Sequence, residues 1–244
     1  MTIKSIFKKL KIKKNDFVIL HGSYNSSIIY NSKEPKKKLL NELVNFFKKD
    51  GSLFVPAFTA YKFKKKKINY STESDLGDFS NDFLNLKDIK RTKHPIFSFA
   101  YFPNKKTEKL VKKLSLNTCF GKNSLFDLSY KKNGKIICLG NGFKHISFTI
   151  FVEQKKRVSY RYEKIFKVNY EGKNKNVSYF VRKLNIRSDL NYSLIKKQII
   201  KNKDLKFFEK KRILFYSFEA KKYFKACSQV LKKNHYGLID EGIN

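Results

Sequence analysis

At 244 residues the chain can fold as one large domain or two small ones around a sizeable core. Its 55 Lys and Arg against 20 Asp and Glu give a formal net charge of +35, which suits a polyanionic partner, yet the lysines run along the whole length, with abundant Asn, Ile, Phe and Tyr, as an AT-rich genome imposes. Three scattered cysteines (Cys119, Cys138, Cys227) fit neither a disulfide framework nor a metal site, and no apolar run nears the ~20 residues of a membrane span. Met1 to Lys14 alternates lysines with single apolar residues, unlike a signal peptide. A reduced, cytoplasmic protein without membrane insertion is expected.

Ile3 to Leu10 has the spacing of a short amphipathic helix. Asp16 to Leu20 reads as a central strand ending in His21-Gly22-Ser23. Pro35 opens a helix whose apolar face is Leu39, Leu40, Leu43, Val44 and Phe47, closed by Asp50-Gly51. Ser52 to Phe58 is the next strand. Strand, helix, strand at this spacing predicts a βαβ unit with parallel strands, so His21–Ser23 and Phe58-Thr59 share one rim of the sheet.

Residues 62–78 read as a loop, Phe79 to Leu86 as a short helix, and Arg91 to Pro95 as a turn into a strand over 96–102. Thr107 to Leu114 is helical, and Gly121 to Leu128 a loop and short helix. Lys135 to Leu139 is a buried strand that breaks at Gly140; Asn141-Gly142 is a loop, and Ser147 to Glu153 a helix. Ile165–Tyr170 and Val177–Phe180 form a hairpin around Glu171-Gly172, followed by a helix over Asp189–Ile200, a strand at Ile213–Tyr216 and a closing helix at Ala220–Lys232. The alternation predicts one α/β domain over residues 1–244. It has three layers (αβα) around a mostly parallel sheet, with a β-rich subregion at 165–217.

A strand that ends in a glycine loop and continues as a helix is where α/β proteins place their chemistry, which singles out 134–166. There is no Walker A loop, GxGxxG, HExxH or GxSxG. What stands out is an order of short pieces. His21-Gly22-Ser23 is followed by Pro56-Ala-Phe58-Thr59, Ser74-Asp-Leu-Gly77, and Arg91-Thr-Lys-His94-Pro95-Ile-Phe-Ser98. Gly121-Lys-Asn-Ser124, Leu139-Gly140 with Ser147 and Glu153, and Tyr160-Arg161 complete the set. In this order and spacing the chain resembles the aminoglycoside 3-N-acetyltransferase (antibiotic N-acetyltransferase) family from about residue 3 to residue 239.

The resemblance implies an acetyl-CoA-dependent N-acetyltransferase with no metal. Its acceptor would be a small-molecule amino sugar, either a nucleotide-linked one for surface-glycan synthesis or an aminoglycoside-like one; nucleic acid is not the expected partner, and a homodimer is left open. It implies that His21, Gly22, Ser23, Tyr24, Arg91, His94 and Ser98 contact coenzyme A. Backbone N–H groups, a hydroxyl and an arginine are fit partners for its phosphates. Phe58, Thr59, Glu153 and Arg161 would contact the acceptor.

Deprotonating an amine calls for a general base, and the thioester oxygen calls for a donor as it gains charge. The family pattern T-x-x-H-x-x-E falls on Ser147, Ile150 and Glu153: the hydroxyl and the carboxylate are kept, and the histidine is replaced by Ile150. His145 can supply an imidazole from the preceding loop. Glu153, His21, His94, or an acceptor of low amine pKa are the other routes. Two further readings stand beside transfer: a catalytically silent coenzyme A binder, and a basic protein for nucleic acid or anionic surfaces.

Overall fold

Successive side chains of a strand face opposite sides of its sheet, and this computed structural model, which describes residues 1–64, 67–184 and 189–240, is layered accordingly. In Phe17–Gly22 (β1), Phe17 and Ile19 join one apolar core while Val18 and Leu20 join another. Lys135–Leu139 (β5) divides the same way, Ile136 and Cys138 against Ile137 and Leu139. One core is covered by Ile3–Lys9 (α1), Pro35–Phe47 (α2) and Asp78–Leu84 (α3). The other is covered by Leu125–Lys131 (α5), Phe148–Lys156 (α6), Ser193–Lys201 (α7) and Ala220–Lys233 (α8), with Leu110 of Lys105–Val111 (α4) at its edge. The three-layer α/β expectation is met.

The βαβ unit forms as expected: Ser52–Pro56 (β2) and β5 both run parallel to β1. The sheet as a whole is mixed, not mostly parallel. Its order places Lys90–Arg91 (β3) and Phe99–Tyr101 (β4) outside β2, then β1 and β5, then Ile213–Glu219 (β9) and Lys206–Lys210 (β8). Among the described residues the four pairings outside the β2–β1–β5 centre are antiparallel. The cause is local. Lys211 and Arg212 between β8 and β9 both have positive φ, 49° and 62°, as a two-residue hairpin turn requires, so the C-terminal strands arrive as a hairpin.

The second hairpin is longer than its sequence pattern suggests: Arg161–Tyr170 (β6) and Lys173–Arg182 (β7) pair along their full length around Glu171-Gly172, with φ 52° and 73°. It stands as a separate sheet, held to the domain by Val168, Tyr170, Val177 and Phe180. The strand expected over 96–102 is short because the N–H groups of Ile96 and Phe97 donate to Nδ1 of His94 instead of a neighbouring strand. Cys119, Cys138 and Cys227 are free and buried. No described helix is long and apolar enough to cross a membrane.

Candidate active site

The two parallel junctions place His21–Ser23, Ala57–Thr59 and Gly140–Gly142 at the same end of the central strands. Glycine is required at two of these positions by contact. A Cβ on Gly22 would lie 2.2 Å from the ring of Phe79, and one on Gly140, at φ 75°, would lie 2.5 Å from the backbone nitrogen of Ser26. Gly22 thus serves packing. Ser23 caps the 3-10 turn Tyr24–Ile29 by accepting from Asn25 N–H, and its own N–H donates to Leu139 O. Tyr24 donates its hydroxyl to Asp82 at 2.5 Å.

Beyond Gly140 the chain turns through His145, held at φ 56°, a left-handed conformation uncommon outside glycine. His145, Ile150, Arg161, Tyr61 and Tyr192 line a cleft of about 1110 Å³. Glu153, one turn after Ile150 on α6, is fully buried and pairs through Oε2 with Nε of Arg161 at 2.7 Å. Tyr160 donates its hydroxyl to Oε1 at 3.0 Å. Burial pushes the Glu153 carboxyl up to about 7, although Arg161 and Tyr160 both act to lower it. His21 is buried close enough to His145 to feel its charge; burial first, then His145, lowers the His21 imidazole to about 4. Its Nε2 has no hydrogen-bond partner within the protein. A buried imidazole with an unpartnered nitrogen at the end of β1 is a feature that the donor group of a bound acyl-CoA would satisfy.

The structure therefore brings together His145, Arg161 and Glu153. Ser147 begins α6 with helical φ and ψ and makes no capping bond with its side chain; it is not part of the cleft lining. Phe58 and Thr59, expected to meet the acceptor, are interior: Phe58 packs on Phe97 and Phe99, and Thr59 donates to Pro95 O at 2.7 Å. Their neighbour Tyr61 reaches the cleft instead, its N–H held by the Asp75 carboxylate.

Arg91 is likewise turned inward. Nε donates to Ser98 Oγ, Nη2 to Ala57 O, and Nη1 to the carbonyls of Tyr70 and Thr72, so it ties three segments together. Ser98 donates in turn to Ala57 O. His94 is buried, which lowers its imidazole to about 4; its Nδ1 accepts from the N–H groups of Ile96 and Phe97, and its Nε2 has no hydrogen-bond partner within the protein. Arg91 and His94 border a second cavity of about 450 Å³ that shares no lining residue with the cleft. The cleft residues Tyr61, Lys64 and Tyr192 went unread in the sequence, since nothing separates them from other aromatics and lysines.

The family model for aminoglycoside 3-N-acetyltransferase matches residues 19–231. No curated protein matches the chain in sequence. Among solved structures the chain is similar to aminoglycoside acetyltransferase AAC(3)-IVa as the apoenzyme, with TM-score 0.76 and 17% identity over 97% of this chain and 89% of that one. It is similar to AAC-IIIb in a binary complex with CoASH, with TM-score 0.75 and 13% identity over 94% of each chain. YokD from Bacillus subtilis superposes with TM-score 0.73 and 16% identity over 96% of this chain and 93% of that one. The order of short motifs, the layered sheet and the family match agree, and the chain belongs to the aminoglycoside 3-N-acetyltransferase family.

Proposed function

We propose that the protein is an acetyl-CoA-dependent N-acetyltransferase acting on the amine of a small-molecule amino sugar, in the cytoplasm. Its family carries acetyl transfer to an amine. The observation that supports the reading most is the buried Glu153–Arg161 pair set against a cleft that also holds His145. Acetyl-CoA supplies the acetyl group, which passes from its sulfur to the acceptor nitrogen and leaves the free thiol. Within the protein, His145 takes the proton that the acceptor nitrogen must lose, the role its family assigns to a histidine one turn into α6. The buried, unpartnered Nε2 of His21 at the end of β1 is the group left to receive a hydrogen bond from the donor side. Glu153 fixes Arg161 at the cleft wall through their 2.7 Å contact, and Tyr160 steadies the carboxyl group from its other oxygen.

The test is thiol release from acetyl-CoA by the purified protein with an amino-sugar acceptor. If millimolar acetyl-CoA changes neither the melting temperature nor the calorimetric heat, the proposal fails. Ile150 on the cleft wall favours a second reading, a coenzyme A binder without turnover. That reading requires binding without thiol release, and release restored by Ile150→His.

A further inference from the structure

The same cleft carries a cluster that proton removal does not use. Lys164 and Phe166 are two residues apart on β6 and so share a face. Phe63 packs edge-on against Phe166 at 5.2 Å, which seats the 3-10 turn Lys62–Lys64 against the hairpin. The ammonium of Lys164 then lies 5.4 Å, and that of Lys64 5.7 Å, from the centroid of the one Phe166 ring. Among the described residues neither lysine pairs with a carboxylate, whereas Arg161 is matched by Glu153 and Arg182 by Asp189. Two like charges held at one ring without a counter-ion make a concave site whose missing partner is an anion. Tyr61, 79% exposed, lines the same cleft. An exposed ring there offers a nucleobase a face on which to stack.

Resting on the acetyltransferase reading, we propose that the acceptor is a phosphorylated amino sugar of the nucleoside diphosphate-linked kind. Lys64 and Lys164 hold its phosphates, and Tyr61 stacks on its base. The same field repels aminoglycosides, which carry several amines and no anionic group. The relatives solved with a gentamicin and with sisomicin bind such cations; this cleft is charged for the opposite kind of molecule. The composition of the chain supplies lysines everywhere, but only geometry sets two of them on one ring in a cleft.

The experiment is calorimetry on the full chain with UDP-glucosamine, glucosamine 6-phosphate, gentamicin and acetyl-CoA, repeated on the double variant Lys64→Gln/Lys164→Gln. UDP-glucosamine is expected to bind the native protein, and to bind the variant at least about tenfold more weakly, a lower bound for the loss of two charge-assisted contacts. Acetyl-CoA is expected to bind both proteins alike. Glucosamine 6-phosphate, lacking a base, is expected to bind less tightly than UDP-glucosamine; equal affinity overturns the stacking role of Tyr61. The proposal is overturned if UDP-glucosamine does not bind, if gentamicin binds more tightly than UDP-glucosamine, or if the variant weakens acetyl-CoA and spares UDP-glucosamine. A protein that binds UDP-glucosamine through these lysines yet ignores acetyl-CoA sinks the acetyltransferase reading and leaves the anion site standing.

Discussion

Oε2 of Glu153 meets Nε of Arg161 at 2.7 Å, with the carboxylate fully buried and the guanidinium almost so. Eight residues separate them in the chain. The left-handed turn at Arg157, φ 51°, ends α6 and returns the chain into β6, which sets them side by side. A buried ion pair sets desolvation against attraction, and here desolvation prevails, since the carboxyl titrates near 7.

That balance fixes a pH dependence. The ordinary carboxyl value is 4.5 and the folded value about 7, so between them the folded chain keeps a proton that the unfolded chain has released. The resulting stability is complete below the lower value and is lost as pH rises through the upper one. From about pH 5 to about pH 8 the native melting temperature is expected to fall relative to that of Glu153→Gln, which cannot titrate. Parallel curves for the two proteins refute this.

His145→Gln keeps a polar side chain on the cleft wall and removes the proposed base. Turnover is expected to fall about 10²- to 10⁴-fold, the usual worth of a positioned base, with KM for acetyl-CoA unchanged. Steady-state thiol release over a range of acetyl-CoA concentrations reads both. A variant as fast as the native protein moves the proton to another group.

Arg91→Lys tests whether this arginine is a tie within the fold. One ammonium cannot reach Ser98 Oγ, Ala57 O and the carbonyls of residues 70 and 72 together. A loss of about 2 kcal/mol is expected in urea unfolding, the scale for leaving buried hydrogen-bond acceptors unmatched. A loss under about 1 kcal/mol returns Arg91 to the list of ligand contacts.

Gly140 and Gly142 separate strain from contact. Both have positive φ, 75° and 67°, but only Gly140 would press a Cβ on Ser26. Gly142→Ala is expected to cost about 1 kcal/mol for the left-handed backbone. Gly140→Ala adds the collision and exceeds it. Chemical denaturation of the two variants gives the order directly.

The parallel centre of the sheet was legible because Asp16–Leu20, the helix from Pro35 and Ser52–Phe58 carry strong patterns with a proline and a glycine at the right ends. The antiparallel flank was not. In β8, Lys206-Phe-Phe-Glu-Lys210 alternates too little apolar character to declare itself, and Lys211-Arg212 is a hairpin turn without the usual Asn or Gly. At the site, the family pattern singles out Glu153 and Arg161 as positions, but does not reveal that they bind each other, with Glu153 buried behind the cleft. Phe58 and Thr59 were misplaced because a strand end looks the same in sequence whether its side chains turn to the cleft or to Phe97. Arg91 was misjudged for a related reason: a guanidinium that suits phosphate suits backbone carbonyls equally well.

The docking of β9 along β5 bears on how the chain comes to be folded. Ser217 Oγ reaches back to Leu10 O, and Ala220 N–H to Gly134 O. Until the chain has been synthesised past Glu219, one side of β5 has no neighbour, and its backbone groups are open to any passing strand. The nascent polypeptide thus carries an open edge from the synthesis of Lys135–Leu139 until Ile213–Glu219 has followed. Closing that edge only when β9 arrives makes the pairing non-local, which slows folding and prolongs the exposure of β5.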